Sequence, residues 1–518
     1  MAINKVILTN ASALSAKYGK TGYGKITAAL KLMVAADAKR GLLTKVIVLD
    51  SKSGMTAYGA PLSSPNDASA VKRAIDAICT REHPDYILIL GASDVVPLVP
   101  LKNPVYVPGG DDDDRTAPSD LPYACDTAFS LDANRFVGPT RVVGRLPDLV
   151  GAKNPQYLLK LLRLASNHKT LAPADYQKFF GLSAQKWQAS TGLSLSKLFG
   201  NASGMNTAPP SGPKWTAGQL APRAHFINCH GGHRDPHYYG QPPRKEEYPT
   251  AHSAELLPGK IIPGTILAAE CCYGAELYDP AKTAGQAGIA YTYLGEGAYG
   301  VFGSTTIAYG PSSGNSSADL ICQYFLQAVM NGASLGRAAL EARQQFAGLY
   351  SHLSPVDLKT LAQFYLLGDP SIHAVASVPH GLNKTKAFKS AFARSGDAGT
   401  RTLRRERLHR IGTGLHKDMP ATRSAGSGDS VMPSREISLV LESAARESGI
   451  REHMKMNFHI APKARIKAKA GAKRTVHLLI SAKTAQAKQS EARIRRIVVI
   501  IATAENGKLM HLRRLHSR

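Results

Sequence analysis

Cysteine is scarce and unpatterned in this 518-residue chain: six residues, at 79, 125, 229, 271, 272 and 322, with no Cys-x-x-Cys pair. That excludes a disulfide-stapled scaffold and points to a reducing compartment. No apolar run approaches the roughly 20 residues that a membrane helix needs, so no transmembrane segment is expected. The start, Met1-Ala2-Ile3-Asn4-Lys5-Val6-Ile7-Leu8, lacks a signal-peptide apolar region with a small-residue cleavage site. A cytoplasmic location is therefore expected, with non-conventional secretion left open. Acidic residues are also few, 38 against 64 Lys+Arg, and residues 376–518 hold only 10 acids against 30 bases. Aromatics make up 7%, and Phe458 is the only one after residue 434, which argues against a base-stacking platform in the basic tail.

What is present is ordinary globular composition, 43% hydrophobic, enough to bury several cores. Two apolar runs stand out because each ends in a reactive side chain. The first is Ala224-His225-Phe226-Ile227-Asn228-Cys229-His230-Gly231-Gly232; the second is Thr265-Ile266-Leu267-Ala268-Ala269-Glu270-Cys271-Cys272-Tyr273-Gly274. In a parallel sheet covered by helices, loops converge beyond the carboxyl ends of neighbouring strands, so the two runs can present histidine and cysteine at one rim. A thiolate is a strong nucleophile, and an adjacent imidazole balances its charge and carries its proton. The glycines that follow permit sharp turns and close approach, making the N–H groups of Gly231 and of the nucleophile the natural oxyanion donors. This chemistry requires no metal or other cofactor.

The order His-Gly, then 42 residues from His230 to Cys272, resembles that of caspase-like cysteine peptidases. Glu270-Cys271-Cys272-Tyr273-Gly274 resembles the segment in which a small residue precedes the nucleophile, a register that selects Cys272. A competing register, with cysteine and glycine two residues apart, selects Cys271. Successive strand side chains alternate faces, so only one can meet His230; Cys272 is favoured and Cys271 is the alternative.

Further blocks narrow the resemblance. Pro84-Asp85-Tyr86-Ile87-Leu88-Ile89-Leu90-Gly91, Asp94-Val95-Val96-Pro97, Ser119-Asp120-Leu121-Pro122-Tyr123-Ala124, Val143-Gly144-Arg145-Leu146-Pro147 and Leu367-Gly368-Asp369-Pro370 are, in this order, similar to gingipain-type peptidases. The resemblance covers about residues 1–375 and implies a caspase-like three-layer α/β sandwich in two subdomains, 1–165 and 166–375. It also implies a cysteine endopeptidase that hydrolyses protein or peptide substrates, with a preference for basic P1 residues held by an acid in the matching segment, Asp120. Glu270 and Ser304, at the rim ends of their strands, are further substrate-binding candidates. Asp369 is expected only to cap the closing turn.

The chain outside these blocks divides by composition. Asp67 is expected to cap a helix over residues 67–82, and residues 154–168 read as another with Pro155 in its first turn. Gly109-Gly110-Asp111-Asp112-Asp113-Asp114 reads as a solvated loop, with calcium the one cofactor its oxygens suit. Residues 233–251 read as a polar surface loop beside the site, and its His233, Asp235 and His237 as solvated rather than metal-ligating. Residues 376–434 read as a basic linker. Residues 435–518 read as a small basic β-rich domain with strands over 436–442, 455–460, 475–481, 493–504 and 509–512, the last two joined by an Asn506-Gly507 turn. An alternative function follows from that charge: a non-hydrolytic scaffold whose tail binds an acidic partner, nucleic acid or anionic membrane.

Overall fold

The computed structural model describes residues 3–108, 110, 112–350, 352–376, 398–419, 423–424, 435–448, 455–461, 475–483, 497–505 and 508–518. Short aliphatic runs become strands of a ten-stranded sheet: β1 (Lys5–Thr9), β2 (Thr44–Val48), β3 (Tyr86–Leu90), β4 (Val143–Leu146), β5 (Phe179–Ala184), β6 (Met205–Ala208), β7 (Ala224–Asn228), β8 (Ile266–Ala269) and β9 (Gly300–Ser304). After the short rim strand β10 (Tyr309–Gly310), β11 (Phe364–Gly368) completes it. The spatial order is β2-β1-β3-β4-β11-β9-β8-β7-β5-β6. All pairs are parallel except β9 with β11. Two parallel halves therefore run in opposite directions and meet at that junction. Every residue of β1, β3, β7, β8, β9 and β11 is buried, as expected of a sheet covered on both faces.

The covering helices include α1 (Ala11–Lys39), α2 (Ala68–Glu82), α3 (Gln156–Ser166), α4 (Gln188–Phe199), α5 (Ile289–Glu296), α6 (Ala318–Met330), α7 (Leu335–Gly348) and α8 (Pro355–Gln363), of which α2 and α3 match the helices expected over 67–82 and 154–168. Asp67 caps α2 by accepting from the Ala70 N–H at 3.0 Å, which satisfies one of the orphan donors of the first turn. Asp369 does more than close its turn. Besides accepting from Ser371, it meets the fully buried Lys5 ammonium at 2.6 Å, and Lys5 also reaches Asp37 at 3.0 Å. The first strand is thereby tied to the far end of the catalytic unit, and the buried charge is matched.

The tail departs from the sequence expectation in two places. Within the expected linker, residues 398–418 form α9 (Ala398–Asp418), which docks on the body: Leu408 is buried, and its carbonyl and that of Pro139 both accept from Gln344. Its composition is so basic that no apolar stripe advertised it. Residues 435–447 form α10 (Arg435–Glu447), a helix rather than the strand expected over 436–442. Ile437, Leu441, Ala444 and Ala445 repeat at helical spacing, and that period outweighs the β-branched run. Strands β12 (Arg423–Ser424), β13 (Lys455–Ala461), β14 (Thr475–Lys483), β15 (Ile497–Glu505) and β16 (Lys508–Ser517) form an antiparallel sheet with β10, in the order β10-β16-β15-β14-β13-β12. The expected Asn506-Gly507 turn and residues 493–496 lie outside the described residues.

In β15 alternate residues face opposite ways. Val498, Ile500, Ala502 and Ala504 pack on α10, while Ile497, Val499 and Ile501 join Cys272, Ile307, Tyr309 and Leu515. Both faces of this strand are therefore apolar, and one of them is pressed onto the catalytic body. Among the described residues no helix is long and apolar enough to cross a membrane.

Candidate active site

Neighbouring strands β7 and β8 run parallel with Ala269 opposite Ile227, and the Glu270 N–H donates to the Ile227 carbonyl at 2.8 Å. His230 and Cys272 each follow that last pair by three residues, past the carboxyl ends of adjacent strands. Side-chain alternation then separates the cysteines. Cys271 is fully buried in the main core, where burial and then the neighbouring Cys229 push its thiol well above the ordinary range. Cys272 turns the other way, into the apolar patch shared with the tail.

The turns after each residue bring the backbones together. Gly231 stands so close to Cys272 that a Cβ there would come within 1.9 Å of the Cys272 carbonyl oxygen; only glycine fits. Tyr273 follows with a positive φ of 53°. Ser304 shares its one hydroxyl proton between the Cys271 carbonyl at 2.8 Å and that of Thr306 at 2.9 Å, which ties this turn to the end of β9. His230 is held by Gln241, whose Oε1 is 2.9 Å from its Nε2, and by the rings of Trp187 and Tyr248 at 4.4 and 4.9 Å.

Sequence reasoning did not anticipate what fills the site. Arg518, the last residue of the sequence, places a main-chain oxygen where two N–H groups converge, Cys272 at 3.2 Å and Gly231 at 3.4 Å. These are the two donors expected to form an oxyanion hole. The Arg518 N–H donates to the Ala308 carbonyl at 3.0 Å, and β16 continues as an antiparallel partner of β10, with Ser517 opposite Tyr309 and His516 opposite Gly310. The Cys272 sulfur accepts from the Ala308 N–H at 3.3 Å, and burial pushes its thiol up to about 12.

The Arg518 side chain enters a fully enclosed pocket. Its Nη2 donates to Asp319 Oδ1 at 2.9 Å and to the Pro311 carbonyl at 2.8 Å, and its guanidinium carbon lies 4.3 Å from the centre of the Trp187 ring. Gly310 forms a wall where a Cβ would meet Arg518 Nη2 at 2.2 Å. Asp319, in the first turn of α6, is itself oriented by Ser190 at 2.8 Å and Asn228 at 3.4 Å. Glu270 lies beside it, and burial followed by the Asp319 charge drives its carboxyl well above the usual range. With Glu270 favoured in its neutral form, Asp319 is the ion-pair partner of the guanidinium. Glu270 thus belongs to this pocket, but behind the residue that touches the ligand.

Asp120 faces a buried arginine. Both of its oxygens accept from the buried Arg145 fork, at 2.8 and 2.6 Å, and Arg145 also donates to the carbonyls of Gly91 and Val96. Asp120 is the counter-ion of a buried cation, and both of its oxygens are engaged there. Asp319, Trp187 and Gly310 were missed; an aspartate heading an otherwise apolar helix, and one of only two tryptophans in the chain, were the available signals.

The acidic loop and the polar loop also differ from expectation. Asp112 is buried against Lys359 and the Tyr309 hydroxyl, and Asp114 accepts from Tyr273 and the Ile307 N–H; Gly109 and Asp111 lie outside the described residues. The loop braces the cysteine turn because its charges are matched there. Residues 233–251 include strand His237–Tyr239, which lies between His230–Gly231 and Thr250–Ser253 in a small sheet. His233 meets Glu276 at 2.8 Å, and His237 meets Asp235 at 3.0 Å.

A family model described as peptidase family C25 matches residues 24–375. A solved structure described as a protease is similar over 97% of this chain and 97% of its own, with a TM-score of 0.46 and 10% sequence identity. No curated protein matches the sequence.

Proposed function

The chain belongs to peptidase family C25 and is a cysteine peptidase, and from that premise we propose an endopeptidase that cleaves after basic residues through Cys272 and His230. Cys272 attacks the scissile carbonyl carbon, and the oxygen takes up charge between the N–H groups of Gly231 and Cys272. His230 balances the thiolate and passes its proton to the leaving amine; water then hydrolyses the thioester. Asp319, backed by a neutral Glu270 and flanked by Trp187, receives the basic side chain on the acyl side of the bond.

One observation carries this reading: the Arg518 main-chain oxygen accepts from both N–H groups while its guanidinium meets Asp319. An extended peptide whose P1 residue is arginine satisfies all of these contacts at once. The remaining polar groups of such a peptide pair with β10, as in other strand-addition complexes.

Digestion of a positional peptide library by the Arg518→Ala chain, whose pocket is vacated, with the same chain carrying Cys272→Ala as the control, tests the proposal. Cleavage after Arg and Lys, absent in the control, is the expected result. Cleavage after acidic or apolar residues would remove Asp319 from its role, and unchanged cleavage by Cys272→Ala would overturn the nucleophile.

A further inference from the structure

We propose that the rim is a binding site for the chain's own C-terminal strand, with β16 as an intramolecular ligand that excludes substrate until it leaves. This rests on reading the rim as the acyl side of a peptidase site, and it adds the occupant.

Every recognition element available to a substrate is already engaged. The N–H groups of Cys272 and Gly231 point at Arg518, the Ala308 carbonyl accepts from the Arg518 N–H, and Asp319 holds its guanidinium. Ser517 and His516 occupy the backbone track along Tyr309 and Gly310. A second peptide cannot make these contacts at the same time, because the Arg518 backbone and its buried side chain fill the space between these groups.

Anchors away from the Asp319 pocket hold the strand there. Arg513 reaches Asp357 at 2.6 and 3.0 Å and Ser354 at 2.9 Å, and it stacks 5.4 Å from the Tyr350 ring. Leu515, with Ile497, Val499 and Ile501 of β15, buries the apolar patch around Cys272. Neither anchor touches the pocket, so they set how often the tip is presented without altering what the pocket selects. Tethering gives the tip an effective concentration on the order of millimolar, so a peptide of equal intrinsic affinity competes only near that concentration.

The test uses the catalytically silent Cys272→Ala chain and a fluorescent peptide, Arg-Leu-His-Ser-Arg, that copies residues 514–518. Adding Arg518→Ala is expected to strengthen binding of this peptide at least tenfold, because the vacated pocket becomes available. Arg513→Ala, which leaves residue 518 intact, serves as the second variant and is expected to strengthen binding in the same direction by a smaller factor. Equal binding by Cys272→Ala alone and by both double variants would overturn the proposal, as would failure of all three to bind. Cleavage of an arginyl reporter by Arg518→Ala with Cys272 intact, whose pocket is vacated, is read separately: its absence, with the binding difference intact, would sink the peptidase reading and leave the occupant in place.

Discussion

Nη2 of Arg518 lies 2.9 Å from Oδ1 of Asp319, and the side chains of both residues are fully buried. Ser190 and Asn228 also donate to the same Asp319 oxygen, and the Pro311 carbonyl accepts from the same Arg518 nitrogen, so hydrogen bonds support the buried pair from both sides. The pair also separates two acids that composition alone makes equivalent, Asp319 and Asp120.

Asp319→Asn is expected to lower kcat/KM for arginyl and lysyl peptides by about 10²-fold or more while leaving the fold intact, since the amide keeps its size but loses the charge. Asp120→Asn strips Arg145 of its counter-ion and is expected to destabilise the protein by about 3–5 kcal/mol. Steady-state kinetics and urea denaturation on both variants check the contrast. Equal loss of basic-residue preference in the two would contradict it.

The two adjacent cysteines should behave differently. Cys272→Ala is expected to reduce peptide cleavage on the order of 10⁴-fold or more. Cys271→Ala leaves a small cavity in the core, with a stability cost of about 1 kcal/mol and near-normal turnover. Rates on one arginyl substrate, together with melting curves, decide between them.

Gly310→Ala puts a methyl group where the guanidinium passes. It is expected to raise KM for arginyl substrates about tenfold or more, with less effect on a substrate whose P1 side chain is shorter. A uniform loss across all substrates would instead point to damage in β10.

Alkaline pH should loosen the tail. Burial raises the Cys272 thiol from 9.0 to about 12, so its contribution to the seated state is present below pH 9 and is lost as pH climbs towards 12. Alkylation of Cys272 by iodoacetamide, followed by peptide mass spectrometry, should still rise about tenfold per pH unit between 8 and 10 in the full chain. A rate already flat across that range would contradict the burial of the thiol.

At the acid end the Arg513–Asp357 pair governs the anchor. Burial alone would raise the Asp357 carboxyl, but Arg513 more than offsets it and leaves it below its ordinary value of 3.8. Its stabilisation is therefore present above about pH 3.8 and is lost as pH falls through the lower native value. Hydrogen exchange over 508–517, corrected for intrinsic rates, should be unchanged between pH 7 and 5 and should accelerate in Arg513→Ala.

The sequence made the catalytic unit readable wherever a local period or a paired motif existed. β7 and β8 are continuous apolar runs, their ends carry His230 and the cysteines, and Gly231 marks a close backbone approach. Asp319 had no such mark, because its role depends on Asn228, Ser190 and Arg518 arriving from three distant parts of the chain. The partner of Asp120 was hidden for the same reason: its segment resembles a family block, but Arg145 is brought to it by the packing of β4 on β3. In the tail, the spacing of Ile437, Leu441, Ala444 and Ala445 held the helical signal that the run Ile437-Ser438-Leu439-Val440-Leu441 disguised. The seating of β16 on β10 joins residues more than 200 positions apart in the sequence, and no local pattern encodes a pairing of that range.

The two-sided burial of β15 fixes how far the terminal arginine reaches. Sliding this strand by one position would swap the residues that face α10 with those that face the body, exposing each to the wrong neighbours. Intermediate depths of insertion are thereby disfavoured, and the hairpin acts as a gauge with one permitted reading. A partner that opens the cleft must lift the whole hairpin, so opening should follow a single cooperative step.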